Sequence, residues 1–308
     1  MKLSIISPVF RAQGMVSELV GELSRCLGDS NIDFELILVE DGSLDNSWDE
    51  IVNCSQNDVR IKGIKLSRNF GQHYAVSAGL DAATGTHCVI IDCDLQDYPD
   101  SILLMLKEME KGFDVVFSKR KKRHHGYFKS KMTLLYHFLF RILVGNEFDI
   151  NLNSLVLMKS TVRDQFVKLK DYDRLYIQLL KWVGFRSTVL EVEHRERFSG
   201  NSTYSFSALL KIAIQGWTFH SDRLLRLSIY GGFFMSGLSF LGGLTIVAMY
   251  FLRGFQAGWP SVILSIIFSS GLILVSVGIV GLYVGKIFSQ VKDRPLYVIE
   301  KRINVEHE

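Results

Sequence analysis

The chain has 308 residues, 48% of them hydrophobic and 22% charged, with 35 Lys and Arg against 32 Asp and Glu. This composition excludes a disordered or low-complexity protein and suits about two domains. The charge is uneven: residues 1–100 carry 7 basic and 16 acidic side chains and the rest 28 and 16, so an acidic front half and a basic back half face different partners.

The opening MKLSIISPVF meets Pro8 and Arg11 after six residues suited to an apolar leader, so no signal peptide is expected. Residues 3–7 predict a buried strand, and Met15, Val16, Leu19, Val20, Leu23 and Leu27 recur at helical spacing. Strands are predicted at 34–39, 61–66, 87–91 and 114–118, with helices at 47–57, 73–83 and 102–111 between them. This alternation predicts an α/β fold, a mostly parallel sheet with helices on both faces. Cys26, Cys54, Cys88 and Cys93 stand singly, with no C-x-x-C and no His at ligand spacing, which predicts reduced thiols rather than disulfides or zinc.

In such sheets ligands bind beyond the carboxyl ends of the strands. The first four strand ends deliver Glu40, Asp41, Asp92, Asp94 and Asp97, together with Gln96, Asn69, Arg11 and Arg68, to one rim. No G-x-G-x-x-G follows the first strand and no G-x-x-x-x-G-K-[ST] occurs, which argues against a dinucleotide site and a P-loop. Asp92-x-Asp94-x-Gln96 places three oxygen-bearing side chains at alternating positions after a buried strand, a set suited to Mg²⁺ or Mn²⁺ shared with phosphates.

Residues 119–131 hold seven cations and no acid. Such a run is a solvated face or a contact with anionic lipid. The apolar positions Met132, Leu134, Leu135, Phe138, Leu139, Ile142 and Leu143 follow it, and the pairing suits an interfacial helix rather than nucleic acid. Residues 206–217 are apolar over most of their circumference, which suits burial and membrane contact equally. Gln178-Leu179-Leu180-Lys181-Trp182 echoes the Q-x-x-R-W of processive polysaccharide synthases, but with lysine for arginine and two spans no channel is expected, and Trp182 reads as a packing residue.

Residues 227–252 contain no charge, and a second uncharged run covers 256–285, each long enough to cross hydrocarbon. Arg253 is the basic residue between them, whereas Lys211, Arg223 and Arg226 precede the first run and Lys286, Lys292, Arg294, Lys301 and Arg302 follow the second. By the positive-inside rule both termini are cytoplasmic. Glycines recur in both runs, as they do in membrane helices generally or where a tight hairpin or a homo-oligomer needs close approach.

The strings PVF, VEDGS, SRNFGQHYAVSAGLDAATG, DCDLQDYP, FSKRKKR, KWVGF, RERFSGNS and KIFSQVKDRPLY resemble the family-2 glycosyltransferases acting on polyprenyl phosphates, the dolichyl-phosphate mannosyltransferase-like and bactoprenol glucosyltransferase-like group, from Lys2 to about Val298. The resemblance implies a GT-A core at 1–125, an acceptor half with membrane-interface helices at 126–222, two transmembrane helices at 223–285 and a cytoplasmic tail at 286–308, in a bacterial inner membrane. It implies nucleotide-sugar contacts from Pro8, Phe10, Asp41, Asn69 and Asp92, and metal and diphosphate contacts from Asp92, Asp94 and Gln96. Arg120, Arg123, Lys131 and Arg197 would meet the acceptor phosphate, with Asp94, Arg120 and Arg123 serving catalysis.

Departures from the group are Phe10-Arg11-Ala12 for Tyr-Asn-Glu, Glu40-Asp41-Gly42 for Asp-Asp-Gly, Thr203 for a lysine, and Leu155-Val156-Leu157 for Phe-Arg-Leu. The last two are expected in the acceptor half, where they bear on the sugar rather than the reaction class. The implied activity is metal-dependent, inverting transfer of a hexose, glucose from UDP-glucose, to undecaprenyl phosphate. Transfer of an N-acetylhexosamine, mannose or a modified aminosugar, and an inactive membrane scaffold, remain the alternatives.

Overall fold

The computed structural model describes residues 1–120, 152–172, 174–195, 223–253 and 258–305. They divide into two compact units, one holding the described residues up to 195 together with 294–305, the other the helices between 223 and 293.

In the first unit β1 (Lys2–Val9), α1 (Val16–Asp29), β2 (Asp33–Glu40), α2 (Ser47–Asn57), β3 (Ile61–Leu66), α3 (Gln72–Asp81), β4 (His87–Ile90), α4 (Asp100–Met109) and β5 (Val115–Arg120) follow the predicted alternation. Then come β6 (Leu152–Lys159), α5 (Ser160–Lys168), α6 (Tyr176–Trp182), β7 (Ser187–Val192) and β8 (Ile299–Ile303). The eight strands form one sheet in the order β7-β5-β6-β4-β1-β2-β3-β8. Strands β4, β1, β2 and β3 are mutually parallel, β6 lies antiparallel between β4 and β5, and β8 is antiparallel to β3.

The central strands read as continuous apolar runs because both faces are covered. Leu3, Ile5, Leu36 and Leu38 pack with Leu19, Leu23, Ile51, Ile102 and Met105 from α1, α2 and α4. Ile6, Ile37, Val39 and Ile64 pack on the other side with Ala75, Val76, Phe166 and Tyr176 from α3, α5 and α6. All four cysteines are free.

Residues 299–303, read above as part of a tail, are a strand of this sheet, with Glu300, Lys301 and Arg302 exposed along its edge. Charges of this kind keep an edge from pairing with another chain. Leu155, Val156 and Leu157 are fully buried in β6, so the Leu-Val-Leu departure is a change of core residues. Trp182 is 75% exposed at the end of α6, which corrects its reading as a packing residue.

In the second unit α7 (Arg223–Arg253) and α8 (Trp259–Val291) are long helices. Among the described residues one stretch, Phe268–Val291, is long and apolar enough to cross a membrane, with a mean hydropathy of 2.0. Pro260 opens α8, where a missing N–H costs nothing, and the helix runs past Gly285. Phe233, Phe234, Leu238 and Phe240 on α7 and Ile273, Leu274 and Val277 on α8 are exposed.

Candidate active site

Parallel β1, β2 and β3 end side by side, and their loops are tied together. The backbone N–H groups of Arg11 and Ala12 donate to Ser43 Oγ at 3.0 Å and Ser47 Oγ at 3.1 Å. Ser43 N–H donates to Glu40 Oε1, while Glu40 Oε2 is buried with no hydrogen-bond partner among the described residues. The Asp41 carboxylate is also buried, with Oδ1 accepting from Phe70 N at 2.7 Å and Oδ2 from Gly71 N at 2.8 Å. Burial raises its pKa against the lowering effect of these two amides.

Two glycines make this junction. At Gly42, φ is +66° and a Cβ would lie 2.3 Å from Arg68 C and Asn69 N, so the β2 loop touches the β3 loop backbone to backbone. Gly71, at φ +106°, turns the chain into α3. Pro8 is half-buried, Phe10 is 44% exposed beneath the Arg11 guanidinium, and Asn69 is exposed. All three border the same rim, and each oxygen of Asp41 accepts one backbone N–H of the loop that it holds.

Beyond β4, Asp92 Oδ1 accepts from Gln72 Nε2 at 2.7 Å and Asp92 Oδ2 from Ser154 Oγ at 2.6 Å. Burial, aided by the charges of Asp94 and Asp97, lifts the Asp92 pKa to about 6 despite these donors. Leu95 sits at φ +59°, a conformation costly for a bulky side chain, and its turn lets Gln96 N donate to Asp94 Oδ1 at 3.2 Å. Gln96 Nε2 is buried without a partner among the described residues. Asp97 is 3% exposed, and burial together with Asp94 pushes its pKa to about 7, opposed by Arg120.

Asp97 Oδ1 lies 3.2 Å from His194 Nε2, and the two residues form an isolated antiparallel bridge. Burial and the charge of Arg120 lower the His194 pKa. Arg195 N donates to Gln96 O at 2.9 Å, and the Arg195 guanidinium pairs with Glu22 at 2.7 Å and covers the Tyr98 ring.

Asp92 and Asp97, both raised by burial and by the charge of Asp94, mark a place deficient in positive charge. Among the described residues no three Asp, Glu, His or Cys side chains already converge at ligand distances. Asp92 nevertheless keeps a lone pair on each oxygen beyond its two hydrogen bonds, and Asp94 is partly open, so the oxygen donors and their charge fit a hard divalent cation.

Arg120 ends β5 and is exposed, with its charge felt by Asp97 and His194. Arg123, Lys131 and Arg197 lie outside the described residues, as do the remainder of the basic run and the apolar segments at 132–143 and 206–217. The sequence reading passed over Gln72, Ser154, Tyr176 and His194. Its available signals were weak, a polar residue next to a glycine turn for Gln72 and a serine leading into an apolar run for Ser154.

The model for glycosyl transferase family 2 matches residues 4–166. A protein of Bacillus subtilis named uncharacterized glycosyltransferase YkcC is 34% identical over 306 residues, covering 99% of this chain and 95% of that one. A bactoprenol glucosyl transferase derived from prophage SfII of Shigella flexneri is 30% identical over 303 residues, 98% of each chain. In fold, the chain is similar to mannosyl-3-phosphoglycerate synthase from Rubrobacter xylanophilus, with a TM-score of 0.50 at 14% identity over 74% of this chain and 75% of that one. A family match over more than half its length and relatives that span nearly all of it establish that this chain belongs to glycosyl transferase family 2 and is a glycosyltransferase.

Proposed function

We propose that the chain transfers glucose from UDP-glucose to undecaprenyl phosphate at the cytoplasmic face of a bacterial inner membrane, making a lipid-linked sugar for cell-envelope glycans. The observation that carries this reading is the group of Asp92, Asp94 and Asp97 beyond β4, electrostatically coupled to Arg120 at the end of β5. The similarity to the bactoprenol glucosyl transferase of Shigella flexneri supports the lipid acceptor and the sugar. The charge-free runs and their basic flanks support a two-helix membrane hairpin with both termini cytoplasmic.

Pro8, Phe10 and Asn69 border the nucleotide, and Asp41 shapes that wall by holding Phe70 and Gly71. A divalent ion, Mg²⁺ or Mn²⁺, held by Asp92, Asp94 and Gln96 would neutralise charge on the departing diphosphate. Arg120 and Arg123, with Lys131 and Arg197, hold the acceptor phosphate and aim it at the sugar. A phosphate monoester has a second pKa near 6, so at neutral pH the acceptor is already an anionic nucleophile and needs no strong base. Its oxygen forms a bond to C1 as the bond from C1 to the diphosphate breaks, UDP leaves with the electron pair, and the anomeric configuration inverts.

The test is transfer of radiolabel by detergent-solubilised protein from a panel of UDP and GDP sugars to undecaprenyl phosphate, with Mn²⁺ or Mg²⁺. Label entering the lipid phase from UDP-glucose, and lost with EDTA, is expected. Transfer from another donor alone would overturn the sugar assignment, and silence across the panel would overturn the reaction.

A further inference from the structure

We infer that Gln72 and Ser154 are positioning residues that hold the Asp92 carboxylate in the orientation in which it meets the donor's divalent cation, with Tyr176 bracing both. The inference rests on the metal-dependent reading above and deepens it. Strand β6 runs antiparallel to β4 with Val156 opposite Ile90, so Ser154, two residues before Val156, comes to stand beside Asp92, two residues after Ile90. There Ser154 Oγ donates to Asp92 Oδ2 at 2.6 Å, the short length typical of a hydroxyl on a carboxylate. From the opposite side Gln72, the first residue of α3, donates to Oδ1 at 2.7 Å.

With one donor on each oxygen, rotation of the carboxylate about its Cβ–Cγ bond breaks a hydrogen bond in either direction, while a second lone pair on each oxygen stays available. The two donors share a support. Tyr176 is 1% exposed, its hydroxyl donates to Ser154 O at 2.9 Å, and its ring lies 5.3 Å from that of His73, the neighbour of Gln72. The partners that orient a metal ligand commonly matter by about 10- to 100-fold in metal affinity.

The experiment is calorimetric titration of Mn²⁺ into the detergent-solubilised full chain with UDP in excess. Ser154→Ala is expected to weaken Mn²⁺ binding roughly tenfold or more, and Ser154→Thr, which keeps the hydroxyl, to restore most of it. Gln72 is exposed at the start of its helix, so Gln72→Met tests the second donor without disturbing the core, and should weaken binding with an unchanged melting temperature. A role confined to folding would move the melting temperature and leave Mn²⁺ affinity alone.

If Asp92→Asn abolishes Mn²⁺ binding while Ser154→Ala and Gln72→Met bind it as the parent does, the positioning role is overturned and the metal assignment stands. If Asp92→Asn binds Mn²⁺ normally, the metal assignment fails and the positioning role falls with it.

Discussion

Gly71 N donates to Asp41 Oδ2 at 2.8 Å, and this contact joins the end of β2 to the entrance of α3. The next residue, Gln72, reaches Asp92, so the geometry at the end of β4 depends on a carboxylate two strands away in the sheet. This part of the rim is therefore a chain of contacts running from Asp41 through the 67–71 loop to Asp92.

Asp41→Asn keeps the shape of the side chain but turns one acceptor into a donor facing a backbone N–H. Leaving a buried amide unpaired costs about 2 kcal/mol, so the melting temperature followed by circular dichroism should fall by several degrees, with weaker UDP binding in calorimetry. An unchanged melting temperature would mean that the loop does not need this carboxylate.

Gly42→Ala is expected to be more damaging than its size suggests. The added methyl meets Arg68 C and Asn69 N at 2.3 Å, both backbone atoms, at a φ of +66°. Strain of this kind costs about 3 kcal/mol. Reduced yield of folded protein and loss of UDP binding should appear together, and a variant that binds UDP normally would refute the close contact.

Asp94→Asn removes the charge that adds to burial in raising the proton affinity of both Asp92 and Asp97. Transfer activity should drop by about 100-fold or more, since the charge stabilisation that a metal supplies is worth several kcal/mol. Without added metal the melting temperature should hold or rise slightly, because a repulsive charge has gone. Retained transfer would remove Asp94 from the metal site.

Glu35 lies near the start of β2, well away from this rim. Burial alone would raise its pKa, but Lys62 at 2.8 Å, Ser4, the Thr84 amide and Lys2 at 3.0 Å outweigh it and bring the value down to about 2. A folded pKa below the unfolded value of 4.5 means stabilisation that is complete above pH 4.5 and lost as pH falls towards 2. The shift corresponds to about 3 kcal/mol. Glu35→Gln should lower the melting temperature at pH 7, and its difference from the parent should shrink as pH drops from 4.5. A difference constant with pH would contradict the ion-pair account.

Asn304 Nδ2 donates to Ser55 O at 2.8 Å and Ile61 O at 3.0 Å, and Tyr297 donates to Asp81 at 3.0 Å, on either side of β8. Asn304 also adopts a φ of +56°, which asparagine tolerates better than alanine. Asn304→Ala should cost about 2 kcal/mol. A chain stopped after Asp293 should expose the edge of β3 and aggregate, as size-exclusion chromatography would show. A truncated chain that stays monodisperse and active would make the strand dispensable.

The strands β1 to β5 and the helices between them were legible because burial on both faces of a parallel sheet leaves apolar runs, and one-sided burial leaves helical spacing. The rim was legible too, since the parallel order alone sends Asp41, Asn69, Asp92 and Asp94 to one end. Strands β6, β7 and β8 were not: the short apolar run of β6 does not reveal that it inserts antiparallel between β4 and β5, β7 alternates at an edge, and β8 is largely charged.

Local pattern determined which side chains reach the rim, because periodicity records burial residue by residue. Tertiary structure decided which of them touch: Asp41 holds a loop, and Asp92 is gripped by Gln72 and Ser154, 20 and 62 residues away along the chain. Hydrogen-bond partners follow strand register and loop closure, and these are set by packing between distant segments rather than by the order of residues within any one of them.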